Sequence, residues 1–319
     1  MSERAPEAVL WDFLRGAMMT KALGTIVDLR IPEMLADGPR QVDELAREAG
    51  VDTDVLHRLL RALASDGVFV EAEPGVFRSS EASDMLRSPG WAEFAHLFGG
   101  VFYQAVADLD RAARTGAATF PEAFGSDFWS WLAAHAGERA QFDRAMAGGK
   151  ERSVERLAEL QWRDGETVVD VGGGNGALLV ELLRRRRGVR GIVFDLPETD
   201  RDEDALGPDI EFVAGSFFES VPTGDAYVLS AIIHDWDDER ATAILRTIRA
   251  AAPPDARLLI TESVIPPGNE PEGAKWLDLL MLVLAGGRER TEPEWRALLE
   301  GASFEPVRIE NGLIEARCR

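Results

Sequence analysis

Apolar positions recur at helical spacing through the first hundred residues and at strand spacing after Glu166. The chain therefore reads as a helical segment followed by an α/β segment. A helix is predicted over residues 7–28, and Pro32 opens a short second one carrying Met34 and Leu35. In QVDELAREAG, Val42, Leu45 and Ala46 share one face and Gly50 marks the stop. In DTDVLHRLLRALASDG, apolar residues at 55, 56, 59, 60 and 63 form the stripe of a buried helix. VFVEAEPGVF then alternates around Pro74 and Gly75, as a hairpin would. Residues 1–100 are thus expected to form a helix-turn-helix with a wing.

Residues 101–160 are predicted to be a helical connector rich in aromatic side chains, among them Phe120, Phe124, Phe128, Trp129, Trp131 and Phe142. Such a layer packs as a core and can also wall a flat ligand. Over 161–319 the runs TVVDVG, GIVFDL, IEFVAG, DAYVLSAII and RLLITESV alternate with helices such as 177–187 and 238–251. That alternation predicts a parallel, doubly wound sheet covered on both faces. Two last runs, EPVRIE and LIEARC, flank Asn311-Gly312 and predict an antiparallel hairpin at the sheet's edge.

Charge narrows the function. The 319 residues carry a net charge of −21, the wrong sign for nucleic acid or an anionic membrane. In residues 1–100 ten Lys/Arg stand against seventeen Asp/Glu, a net −7, so the winged unit is not expected to read DNA. Cys318 is the single cysteine, which excludes an intrachain disulfide or a cysteine-based zinc site. With neither a signal-like N-terminus nor an apolar run of membrane length, a soluble, cytoplasmic protein is expected.

The chemistry concentrates around Asp170-Val-Gly-Gly-Gly-Asn-Gly176, between a strand and a helix. Gly172, Gly174 and Gly176 allow a sharp turn and close approach to a ligand, at the sheet edge where ligands bind. Gly172, Gly174 and Ala177 also satisfy the loose dinucleotide pattern, so a nicotinamide oxidoreductase remains an alternative at this point. Asp195 ends the next strand, where a carboxylate can accept both hydroxyls of an adenosine ribose in either class of protein.

DVGGGNG, VFDLPE, GSFFESVPTGDAYVLSAIIHDWDDE, LLITESVIPPG, LDLLML and GGRERTEPEW follow one another in order. Together they resemble the small-molecule, S-adenosylmethionine-dependent O-methyltransferases typified by plant caffeate and isoflavone enzymes and by bacterial antibiotic-tailoring enzymes. The resemblance covers nearly the whole chain. It implies a class I methyltransferase sheet of Rossmann-like type and an N-terminal winged-helix dimerisation domain, hence a homodimer. It also implies S-adenosylmethionine as cofactor, giving S-adenosylhomocysteine, without a metal, and methylation of a hydroxyl, foremost a phenol, on an aromatic secondary metabolite. A member of the same scaffold catalysing a non-methylating reaction is a further alternative.

Carried over residue by residue, the resemblance places Gly172 and Gly174 against the cofactor's amino-acid part and Asp195 on its ribose, with Asp170 and Leu196 also at the cofactor. Phe217 and Trp236 flank its adenine. Two positions depart from the plant pattern: Ser216 stands where many members have an adenine-binding aspartate, and Ser230 where plant members have lysine. Lys150 lies near a position where members often carry serine toward the cofactor. His234, one of four histidines, follows a strand at the ligand-binding edge and matches the family's base. Glu262 and Glu289 match the carboxylates that bracket it, and Trp129, Phe142, Met146, Asp278 and Met281 are expected to line the acceptor pocket.

Overall fold

The structure, a computed structural model, describes residues 5–148, 150–199 and 203–319. These group into two compact units: one reaches Ala107 and takes in Arg144–Gly148, and the other comprises Asp108–Asp143 and the remainder to Arg319.

In the first unit the helices Pro6–Asp28, Ile31–Met34, Val42–Ala49 and Thr53–Ser65 follow one another. Gly50 closes the third at φ 70°, a left-handed stop that favours glycine. The fourth starts on Asp52, whose carboxylate accepts the Val55 N–H at 2.9 Å. Leu56, Leu60 and Leu63 enter one core with Ile26, Leu45, Phe69 and Phe77. Val55 does not and is 52% exposed, because adjacent helical residues point roughly 100° apart and Leu56 takes the inward direction. Strands β1 (Arg40–Gln41), β2 (Phe69–Glu73) and β3 (Val76–Ser79) form the wing, antiparallel in the order β1-β3-β2. The helix Pro6–Asp28 leaves Leu10, Trp11, Phe13, Leu14 and Met18 at least 60% exposed.

The second unit is built on strands β4 (Thr167–Val171), β5 (Arg190–Asp195), β6 (Ile210–Ala214), β7 (Ala226–Ser230) and β8 (Arg257–Thr261). Short strands β9 (Val264–Ile265) and β10 (Arg290–Thr291) pair separately, and β11 (Phe304–Glu310) and β12 (Leu313–Cys318) complete the main sheet. Its order is β11-β12-β8-β7-β4-β5-β6, parallel from β8 to β6 and antiparallel at β12 and β11. Val169, Tyr227, Leu229, Leu258 and Ile260 face one core, which includes Ile244, Leu245 and Trp295. Their neighbours Val168, Ala226, Val228 and Leu259 face the other, with Val154, Leu178 and Leu182. Burial on both faces is why these strands read as continuous apolar runs. Asn311 and Gly312 adopt φ 50° and 70°, the positive pair a tight two-residue hairpin requires.

The order reverses at β4. The chain runs outward through β5 and β6, then returns to place β7 on the other side. The carboxyl ends of β4 and β7 therefore enclose the crevice where such sheets take ligands. Among the described residues no helix is long and apolar enough to cross a membrane.

A Cβ at Gly24 would lie 2.8 Å from both the Ala95 carbonyl oxygen and the Gly99 Cα. Helix propensity favours alanine by ~0.5–1 kcal/mol, but the clash is with backbone that cannot rotate away. Gly24→Ala is therefore expected to destabilise by ~1–3 kcal/mol. Thermal unfolding checks this, and an unchanged or raised melting temperature contradicts the close packing.

Candidate active site

The glycine loop leaves the end of β4. Gly172 turns at φ 71° and Gly174 at φ 59°. A Cβ at Gly172 would meet the δ-methyl of Ile232 at 2.5 Å, whereas one at Gly174 would meet nothing within 4 Å. The positive φ favours glycine at both positions, and at the first the Ile232 side chain crowds the space as well. The Gly174 N–H donates to Asp195 at 2.7 Å, and the other Asp195 oxygen accepts from the Leu196 N–H and the Thr199 hydroxyl, each at 2.7 Å. Asp195 thereby ties the loop to the end of β5. Asp170 is 1% exposed, its Oδ2 has no partner among the described residues, and burial pushes its carboxyl up to about 7.

Four of the nominated aromatic residues form a connected group. Trp236 meets Phe217 edge-on at 6.0 Å and lies near-parallel to Trp129 at 6.3 Å, and Phe142 packs edge-on to Trp129 at 5.8 Å. Phe218, which the sequence reading did not single out, is nearer still to Trp236 at 4.9 Å. The adjacent phenylalanines in GSFF were its only signal. The indole N–H groups of Trp129 and Trp236 are buried without partners among the described residues. Ser216 Oγ accepts the Phe218 N–H at 3.3 Å, and Leu196 is 40% exposed. Met281 is buried in the helix Ala274–Ala285. Met146 falls in Arg144–Gly148, the segment grouped with the first unit.

Beyond β7 the chain turns abruptly. Ala231 takes φ 57°, a left-handed strain that a non-glycine residue keeps only where its surroundings impose it. A single 3₁₀ turn, Ile233–Asp235, then presents His234. Its Nδ1 lies 2.7 Å from Glu289 Oε1, and its Nε2 lies 3.6 Å from Asp235 Oδ1. With the 2%-exposed Glu289 on Nδ1, a neutral ring carries its proton there and leaves the Nε2 lone pair free.

Two nominated carboxylates bond to backbone. Glu262 does not bond to the ring; its Oε1 accepts the N–H groups of Ile232 and Ile233 at 2.9 and 2.6 Å and fixes the start of the turn. Asp278 accepts the Glu289 N–H at 2.8 Å, a contact to the ring's partner that the sequence did not show. Both face backbone donors, which give a carboxylate charge-assisted hydrogen bonds, though Glu262 Oε2 has no partner among the described residues.

Sequence reasoning also passed over Arg290 inside GGRERT. It is fully buried. Its guanidinium donates to the carbonyls of Ile233 at 3.3 Å and Trp236 at 2.9 Å, the residues on either side of His234-Asp235, and to Asp238 at 2.9 Å. The Arg288 N–H donates to the His234 carbonyl at 2.8 Å, and a Cβ at Gly287 would overlap that same carbonyl. The segment carrying Glu289 is therefore clamped onto the turn carrying His234.

Electrostatics follow from this packing. Burial opposes a charge on His234, but Asp235, the hydrogen bond to Glu289, and Glu262 outweigh it and raise the ring to about 10. Burial raises Asp235 to about 7 against the pull of His234. Ser230, 4% exposed at the end of β7, receives the Lys150 ammonium on its carbonyl at 2.9 Å and its hydroxyl at 3.2 Å. Among the described residues no cluster of three metal-ligating side chains occurs.

Comparison with known proteins gives two family matches: an O-methyltransferase domain over residues 103–305 and an O-methyltransferase dimerisation domain over residues 11–88. The phenazine O-methyltransferase PhzM of Lysobacter antibioticus is 37% identical over 95% of this chain and 92% of its own. A crystal structure of LaPhzM superposes with a TM-score of 0.92 at 36% identity, covering 99% of this chain and 100% of that one. NcsB1, an O-methyltransferase from neocarzinostatin biosynthesis solved with S-adenosylmethionine and 2-hydroxy-5-methyl naphthoic acid, gives 0.81 at 30% identity, covering 94% and 96%.

Arg290→Met removes the guanidinium from the carbonyls of Ile233, Arg288 and Trp236, of which Ile233 keeps the Trp236 N–H as a donor, and is expected to cost ~1–3 kcal/mol. Denaturant unfolding should show that loss, and a variant as stable as the native chain contradicts the clamp.

Proposed function

The chain belongs to the O-methyltransferase family, and from that premise we propose that it methylates a phenolic hydroxyl of a flat aromatic metabolite, with His234 as general base. The observation that carries this reading is the 2.7 Å bond from His234 Nδ1 to buried Glu289, beside a connected group of aromatic rings. The fold supplies a homodimer interface on the same reading: the exposed Leu10, Trp11, Phe13, Leu14 and Met18 form the kind of apolar patch that marks one.

The crevice suits S-adenosylmethionine. Asp170 Oδ2 and the Trp236 indole N–H are buried groups in want of partners, and Gly174 opens onto free space. Asp170, Gly172 and Gly174 would hold the amino-acid part, Asp195 and Leu196 the ribose, and Ser216, Phe217 and Trp236 the adenosine surroundings, with Ser230 also at the cofactor. When bound, the cofactor supplies a methyl group on a sulfonium. Trp129, Phe142 and Met281 would bound the acceptor. His234 Nε2 takes the acceptor hydroxyl's proton, and Glu289 stabilises the imidazolium that forms. Arg290, Glu262 and Asp278 are positioning residues, each holding backbone that carries the ring or its partner.

The cofactor's positive charge opposes a charged ring, so the ring's affinity for its proton falls below that of the chain alone. The direct test is mass spectrometry of the protein with S-adenosylmethionine and a panel of aromatic hydroxyl compounds, scored for gain of one methyl. No methylated product from any uncharged phenol contradicts the reading.

The pH dependence has a determined sign. A group raised by its acidic neighbours releases its proton later, so activity should climb with pH through an inflection above ~6.5, the ordinary histidine value. Glu289→Gln removes the anion that retains the proton. The inflection should move to lower pH and the plateau should fall; an unmoved inflection would remove Glu289 from the ring's electrostatics.

A further inference from the structure

Lys150 carries no role in the reading above, yet its ammonium ends at the carboxyl edge of the sheet. It caps no helix with its side chain. Instead it reaches the last residue of β7, donating to both oxygens that Ser230 offers, and Ser230 Oγ in turn reaches Ser153 Oγ at 3.4 Å. Since β7 lies beside β4, this places a cation next to the glycine loop.

Burial lowers the Lys150 pKa, while Asp170, Asp235, Glu262 and Asp195 act in the opposite sense. Among the described residues, however, it forms no ion pair with any of them; both hydrogen bonds go to neutral oxygens. A part-buried ammonium whose hydrogen bonds all go to neutral acceptors is incompletely compensated. Asp170 Oδ2, buried and unpartnered, is the mirror case on the neighbouring strand. A simple anion entering this acid-rich crevice would be repelled. A zwitterion would not, because its ammonium can turn to the acids and its carboxylate to the lysine.

We propose that Lys150 is a cofactor-binding residue whose ammonium, steadied by Ser230, pairs with the α-carboxylate of the methionine part of S-adenosylmethionine. This rests on the cofactor reading above. Ser230 itself carries no charge, and Lys150 delivers an ammonium to that strand end from the start of the helix Glu151–Ala158.

Calorimetry on the full chain separates the contribution, using S-adenosylhomocysteine and 5′-methylthioadenosine, which lacks the amino-acid part. Lys150→Met should weaken S-adenosylhomocysteine ~10- to 100-fold, the range of a lost charge-assisted hydrogen bond. It should leave 5′-methylthioadenosine within about threefold, which also shows that the variant folds and keeps its adenosine site. Lys150→Arg should recover part of the loss. Equal affinity of native and Lys150→Met protein for S-adenosylhomocysteine overturns the assignment, as does an equal loss for both ligands. If the native chain binds neither ligand, the cofactor reading itself falls.

Discussion

Glu289 is an almost wholly buried carboxylate bonded to a part-buried imidazole, and such a pair depends on its geometry being held by its surroundings. Removing one partner would strand a charge in the interior. The surrounding structure meets that demand with backbone contacts. Asp278 takes the Glu289 N–H, Glu262 takes the N–H groups of Ile232 and Ile233, and Arg290 takes the carbonyls of Ile233 and Trp236. Gly287 lets the two segments touch where any side chain would separate them. The left-handed Ala231 is the backbone strain this arrangement maintains, placed one residue after the strand that anchors it.

The same crevice is rich in acid. Asp170, Asp235 and Glu262 are all raised, with burial the largest cause for each. A site of this kind favours ligands that arrive with positive charge, and a sulfonium cofactor does. On the proposed reading, the charge that helps to bind the cofactor also weakens the ring's hold on its proton and would favour His234 as a base.

Local signals made most of the fold legible. Asn311-Gly312 fixed the closing hairpin, the helix 238–251 appears at those bounds, and the alternating second half gave the doubly wound sheet. Val55 was misjudged because a five-residue stripe is wider than the inward face of its helix. In the site, His234 and Glu289 were legible as a pair, and Phe217, Trp236, Trp129 and Phe142 do share one cluster. The targets of Glu262 and Asp278 were not legible. Each accepts from backbone N–H groups, which every residue has, so only the tertiary fold decides which carboxylate meets which. Arg290 was hidden for a related reason: in sequence it is one more charge in GGRERT, and its burial depends on the turn it clamps. Lys150 and Ser230 read as separate anomalies because 80 residues separate them.

The central claim is that His234 takes the acceptor's proton. It is tested most directly by single-turnover methyl transfer in native protein and His234→Ala, with cofactor saturating and an acceptor whose hydroxyl is neutral at the assay pH. The account predicts a chemical rate lower by ~100- to 10,000-fold in the variant, with S-adenosylhomocysteine affinity nearly unchanged. A variant that keeps the native single-turnover rate would contradict it and leave alignment of the two reactants as the whole of the catalysis.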